Sequence, residues 1–396
     1  MDEAFDPGLR RWLSAVAVVL GVCTLVGLVL LWPAGREVVD AGELGVSDTS
    51  YPATVVRVDQ FECPGDEQDE ATIVCVEMTF RLDGGPDEGD ARTVELYDVG
   101  SQPELSVGDA IVVPYLASAQ EEFRYSPQFE RERGWPMLVL ALLFAALVVV
   151  QGRLRGLSAL AGLAASIGVI VVFVLPALIE GSAPVPVAVV AASAIAFLAL
   201  YLAHGFSPLT TVALLGTLAS LVLVASLSWV FTRATVLSGL GEEAQFIRAF
   251  GGDLDFSGLL LAGMILGALG ALDDMTVTQA SSVAELRVAN PDYRFAELYR
   301  AGSRIGRDHV ASTVNTLALA YAGASLPLLL VFVSSQQSAG RVLTSEIVAT
   351  EVVRTLVGSI GLVASVPLTT ALAARLVGGP RRSVGRLHER GDPFAE

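Results

Sequence analysis

The chain has 396 residues, 53% of them hydrophobic, and a formal net charge of −17. A mean hydropathy of +0.59 excludes an ordinary soluble globular protein, because several apolar runs are long enough to cross a bilayer as helices. The acids crowd into residues 37–133, so the charge describes one acidic domain, and no nucleic-acid partner is expected.

Every basic residue apart from three histidines is arginine, a bias that fits genomic base composition better than phosphate recognition. Residues 1–33 read as a cytoplasmic N-terminus and a membrane anchor, with WLSAVAVVLGVCTLVGLVLLW at 12–32 preceded by Arg10 and Arg11. The apolar run is longer than a usual signal-peptide core, and no small-x-small cleavage site follows Trp32 and Pro33, so an uncleaved anchor is expected. Cys23 within it is a small apolar residue.

Residues 34–134 change character. Segments such as YPATVVRVDQFEC, TIVCVEMTFRL, ARTVELYDV and DAIVVPYL are rich in Val, Ile, Thr and Tyr and are separated by acidic turn clusters. They predict a small β-domain of about five strands, for which an OB-type barrel is one arrangement. The acidic loops (Asp66, Glu67, Asp69, Glu70; Asp83, Asp87, Glu88, Asp90) lack EF-hand spacing and read as solvated surface rather than calcium ligands. Cys63 and Cys75 flank one such loop; whether they are bridged is open from sequence, since two cysteines fix nothing without geometry.

From Trp135 the chain is membrane again, with helices expected at about 135–150, 157–179, 184–203, 207–231, 257–277, 310–333 and 350–376. With the anchor this makes a membrane α-helical bundle of about eight spans, seven of them in the membrane domain at residues 135–378, which is followed by an arginine-rich cytoplasmic tail at 379–396. Arg10, Arg11, Arg153, Arg155, the 287–307 segment and the tail fall on one side. The positive-inside rule then puts both termini in the cytoplasm and the β-domain outside. Between spans, residues 232–256 suit a short interfacial helix around Phe246, Ile247 and Phe250.

The 257–290 stretch is the one most suggestive of chemistry. A helical repeat puts Gly263, Gly267, Gly270, Asp274, Thr278, Ser281 and Glu285 on one face. The glycines predict close helix packing, and carboxylates at the end of such a span require water, a cation or a partner. The next span carries Arg304, Asp308, Ser312 and Asn315, and the last carries Glu351, Thr355, Gly358, Ser365 and Thr369. Three polar seams in an otherwise apolar protein suggest that the seams meet, with Arg307 reaching Asp273 or Asp274. Two readings are open for these charges: an ion or proton pathway, or wet boundary charges balancing one another. Asn315 is expected to hydrogen-bond between helices in either case.

Enzyme classes find no support. His204, His309 and His388 are scattered, and there is no Walker A sequence, dinucleotide-binding glycine pattern or GxSxG elbow. Ser281 and Ser282 lie past the apolar run with no activating base nearby, and no cofactor is expected.

The stretch GALGALDDMTVTQASSVAEL (267–286), followed by ELYRAGSRIGRDHVASTVNTLALAYAGASLPLLL (297–330), closely resembles the YibE/F-like family of bacterial multi-pass membrane proteins. Gly270, Asp273, Ser281, Ser282, Glu285, Gly306, Arg307, Asp308, Asn315, Thr316, Tyr321 and Pro327 stand at the matching positions. The resemblance implies a plasma-membrane protein and leaves open which of Asp273 and Asp274 is equivalent to the family's aspartate. A shorter likeness, in GALGALDDMTV and RDHVASTVNTLALA, is similar to resistance-nodulation-division transporters and SecD/SecF export subunits, where a glycine-rich helix carrying Asp couples to the proton gradient.

The expectation is therefore a transport or export component coupled to H+ or a metal cation, with Asp273 and Asp274 as the coupling site. Its partners would be the bilayer and a second copy or another subunit. The alternative is a non-transporting anchor or assembly factor that presents the β-domain.

Overall fold

The computed structural model describes residues 7–35, 49–62, 74–96, 105–116, 124–125, 129–240, 254–334 and 338–377. They fall into two compact units, one containing the sheet and the other most of the helices. The expected interfacial helix at 246–250, the acidic loop at 66–70 and the tail at 379–396 lie outside the described residues.

In the first unit, alternating apolar residues form five strands: β1 (Thr49–Glu62), β2 (Val74–Leu82), β3 (Ala91–Leu96), β4 (Ala110–Tyr115) and β5 (Glu130–Arg131). All pair antiparallel in the order β3-β2-β1-β4-β5. Among the described residues the sheet is therefore open, with β3 and β5 at its edges, and does not close into an OB-type barrel. Val55, Met78, Phe80, Leu82, Ile111 and Val113 supply its core, as the period of two requires. Three acids of the 83–90 turn make contacts within the unit: Asp83 accepts from the Thr54 hydroxyl, Asp87 accepts from Tyr125 Oη at 2.9 Å, and Arg92 reaches both Asp87 and Asp90. Cys75 is buried and disulfide-bonded, and Cys23 is free; Cys63, the partner considered from sequence, lies outside the described residues.

The turn into β4 gives a test of this unit. Asp109 accepts the Ser106 backbone N–H at 2.9 Å and pairs with Arg131. The Ser106 hydrogen bond, then the Arg131 guanidinium, hold its carboxyl below its ordinary value of 3.8 despite some desolvation. A depressed folded-state pKa contributes stability above the unfolded value, and that stability is lost as pH falls through the folded one. Acidification below about pH 3.8 should thus speed hydrogen exchange of the β4 amides, and Asp109→Asn should flatten that dependence. An unchanged acid limb in the variant would refute it.

Helix α2 (Gly134–Gly152) is grouped with the sheet and has no buried residue. The helical unit contains α1 (Pro7–Leu30), α3 (Leu154–Ile179, with a π turn at Ile170–Val174), α4 (Pro184–His204), α5 (Pro208–Ala234), α6 (Phe256–Ala289), α7 (Phe295–Ala324), α8 (Leu326–Ser334), α9 (Ala339–Thr344) and α10 (Glu346–Val377). Among the described residues seven helices, α1 to α6 and α10, are long and apolar enough to cross a membrane. The eighth span expected at 310–333 is interrupted: α7 stops at Ala324 and α8 starts afresh at Leu326, just before Pro327. Proline cannot donate the helical hydrogen bond and clashes with the preceding turn.

Helices α5, α6 and α10 form the centre of the unit, with Leu214, Val224, Ile265, Leu272, Val357 and Leu362 almost fully buried. Each end of α5 is fixed by a polar device. At its start Ser207 caps the helix, its Oγ accepting from Thr210 N at 3.1 Å. Beyond its other end, Glu346 at the head of α10 accepts from Ser238 N at 2.7 Å, from Gly239 N at 3.1 Å and from the Ser238 hydroxyl. Gly239 has φ +73°, and a Cβ there would lie 2.3 Å from the Phe256 carbonyl, so this collar requires glycine.

Candidate functional site

Helix α6 begins at a capping Asp255, whose carboxylate accepts from Gly258 N at 2.8 Å, and ends at Asn290. Its buried stripe runs through Leu261, Met264, Ile265, Ala268, Leu272, Met275, Gln279 and Val283. The face singled out in the sequence is the other one. Gly263, Gly267, Gly270, Asp274 and Glu285 are exposed, and Thr278, Ser281 and Ser282 are half-buried. A Cβ at Gly263 or Gly270 would meet nothing within 4 Å, and at Gly267 only the Tyr321 hydroxyl. The glycines therefore do not seat a neighbouring helix within the described chain. Bulky apolar residues of α6 are buried instead, and the close approaches are made at Gly216, Gly361, Gly302 and Gly306 of the surrounding helices.

Asp273 stands one position, about 100° of helix, away from Asp274 and turns toward α5. Its Oδ1 accepts from Thr217 Oγ1 at 3.3 Å. Thr217 Oγ1 also lies 2.7 Å from Thr276 Oγ1 and 3.1 Å from the Ala213 carbonyl, and Thr276 donates to the Asp273 carbonyl at 3.1 Å. Both threonines are fully buried. A hydroxyl is donor and acceptor at once, so Thr217 can meet either a carboxylate or a carboxylic acid by turning its single proton. Among the described residues no ion pair involves Asp273.

The arginine expected to neutralise it faces elsewhere. Arg304, Arg307, Asp308 and Asn315 are all exposed, and neither the Arg304–Asp308 pair nor a bridge from Arg307 to Asp273 or Asp274 forms. Helix α7 turns Leu298, Gly302 and Gly306 inward instead. Three small or apolar residues at i, i+4, i+8 allow a closer approach to α6 and α10 than the charged face would. The α10 seam does face inward: Gly358, Ser365 and Thr369 are buried, whereas Thr355 and Glu351 are half-buried and Glu351 pairs with Arg354 at 2.7 Å.

A second buried polar group, absent from the sequence reading, lies two turns from Asp273. Gln279 is 2% exposed, and its amide donates to the Gly302 carbonyl at 2.9 Å and to Thr370 Oγ1 at 2.6 Å, which in turn donates to the Val366 carbonyl. One side chain thus ties α6, α7 and α10 together. Gln279→Leu should destabilise the bundle by about 2–3 kcal/mol, because it leaves a carbonyl and a hydroxyl to find new partners. Thermal unfolding in detergent checks this, and a melting temperature equal to wild type would refute it.

A cavity of about 460 Å³ opens at the end of the unit that carries Arg155 and His204, with Ser158, Thr210 and Ser281 among its walls and Ala213 and Val277 among its lining. Ala213 precedes Thr217, and Val277 follows Asp273, by four residues each, so the cavity stops about 6 Å of helix rise short of the carboxylate. The sequence signals that could have led here are the hydroxyl-bearing Thr217 and Thr276 and the lone Gln279 within apolar runs. The charged residues of the next helix drew the reading away from them.

A model of the family described as YibE/F-like protein matches residues 140–379. Neither a curated protein nor a solved structure matches the chain.

Proposed function

The chain belongs to the YibE/F-like family, and from that premise we propose that it is a proton-coupled transport or export component of the bacterial plasma membrane, with Asp273 as the coupling carboxylate. The observation that carries this reading is a carboxylate on a long apolar helix, without a basic partner among the described residues, held by Thr217 and approached from one end by a cavity with Arg155, Ser158 and Thr210 in its lining. Carboxylates within membrane-crossing helices are costly and, where they persist, mark proton or ion pathways.

The donor set favours a proton over a metal cation. One carboxylate and two hydroxyls surround the position, whereas calcium takes six or more oxygens and magnesium a full octahedron. Arg155 in the cavity lining would also repel a metal cation. In this reading the arginine-rich end faces the cytoplasm, α7 and α8 together make the eighth crossing, both termini lie inside, and the acidic sheet unit lies outside.

The test is proton movement. The full chain, reconstituted in vesicles enclosing a pH-reporting dye, should acidify the lumen faster than empty vesicles when an inward proton gradient is imposed. A rate equal to that of empty vesicles across a range of gradients and potentials would overturn the proposal and leave the anchor reading.

A further inference from the structure

A second cavity of about 470 Å³ lies where α1 meets the turn between α4 and α5, sharing Leu202 and Ser207 with the walls of the first. Its lining is mostly apolar, with Val18, Phe197 and Leu198 on one side, but one end carries Arg10 and Ser14, four residues apart on the same face of α1. The Arg10 Nε atom is buried without a hydrogen-bond partner, and Arg10 makes no ion pair among the described residues. The N-terminus of the 27-residue helix α5, at Ser207 and Pro208, opens onto the same end and adds its positive dipole.

The position of this cavity along the membrane normal is marked by aromatic residues. Phe206 is 89% exposed and stacks on Tyr201 with ring centroids 4.6 Å apart, and Trp12 is also exposed. Exposed aromatic rings of this kind gather at the boundary between headgroups and hydrocarbon. The site thus has a cationic end at the boundary and an apolar wall running along α1 toward the hydrocarbon. That polarity matches one class of molecule. An anionic phospholipid carries a phosphate for the guanidinium and an acyl chain for the wall, whereas a soluble anion would leave the apolar surface wet.

We propose that this cavity is a binding site for an anionic phospholipid, with the phosphate held by Arg10 and Ser14 and the upper acyl chain lying against Val18, Phe197 and Leu198. The bound lipid fills the gap between the anchor helix and the α4–α5 pair.

Native mass spectrometry of the full chain released from detergent tests this with added phosphatidylglycerol and, separately, phosphatidylethanolamine. Wild type should retain phosphatidylglycerol preferentially. Arg10→Gln should lower its retention about tenfold, the cost of one charge-assisted contact. Arg11→Gln, at an exposed position outside the cavity, should change it by less than about twofold. Ala17→Trp fills the cavity while keeping both arginines, and should also expel the lipid, so the outcome does not hang on one variant. Equal retention in wild type and both cavity variants would overturn the assignment, as would equal loss in the Arg10 and Arg11 variants. Displacement of the lipid by glycerol phosphate at comparable concentration would assign the site to a soluble anion and overturn it too.

Discussion

Asp273→Asn is expected to reduce proton flux in reconstituted vesicles to the rate of empty vesicles, whereas Asp274→Asn keeps the wild-type rate. Asparagine has nearly the shape of aspartate and its amide oxygen can still accept from Thr217 Oγ1, so the fold should lose about 1 kcal/mol or less. What it cannot do is take up and release a proton. Asp274 is exposed, already in contact with whatever surrounds the bundle, and its removal interrupts no buried chain of groups. Thr217→Val gives a graded third point. It removes the hydroxyl that meets both protonation states and should slow flux about tenfold, the worth of one hydrogen bond to a charged group. Flux surviving in Asp273→Asn, or lost equally in both aspartate variants, would reject Asp273 as the coupling group.

Gly306→Val should be the most damaging single substitution for stability, at about 3 kcal/mol. A Cβ alone at this position would lie 2.4 Å from Val366 Cγ1 and 2.7 Å from Gln279 Oε1. The added side chain must therefore push α7 off α10 and displace the amide that joins α6, α7 and α10. The contrast is with the glycines of α6. Gly263→Ala and Gly270→Ala place a methyl group in open space and should stabilise by up to about 1 kcal/mol, because alanine is the better helix former. Unfolding in detergent followed by tryptophan fluorescence separates the two sets. Losses at Gly263 or Gly270 comparable to that at Gly306 would mean that the open face is covered by another chain.

That contrast also explains which parts of the molecule were legible in the sequence. The spans were readable because bilayer crossing needs length and apolar content and little else; α4, α5, α6 and α10 fall close to their expected positions. The β-strands were readable from their period of two. Closure of the sheet was not, since it depends on pairing between β3 and β5, which no local pattern encodes. The direction in which α6 faces was also hidden. Apolar residues encircle its first turns, so periodicity does not distinguish a side that meets protein from one that meets lipid. The glycine row was a plausible seam, but the tight approaches come from Gly216, Gly302, Gly306 and Gly361 on the neighbouring helices. For α7, the conspicuous charges suggested an inner face, yet a helix at the membrane boundary gains more by burying Leu298 and two glycines than by desolvating arginines. Which of Asp273 and Asp274 turns toward α5 depends on a rotation of one residue, which only packing determines.

The collar at Glu346 has a mechanical corollary. Three donors from Ser238 and Gly239 rivet the head of α10 to the segment just beyond α5, while the opposite ends of α5 and α6 border an open chamber. Helices bound across one extremity and bordered by a void near the other give way most easily beside the void, like the jaws of tongs. Any such widening is smallest at the rivet and grows with distance from it, reaching Asp273 and Thr217 on the way to the chamber.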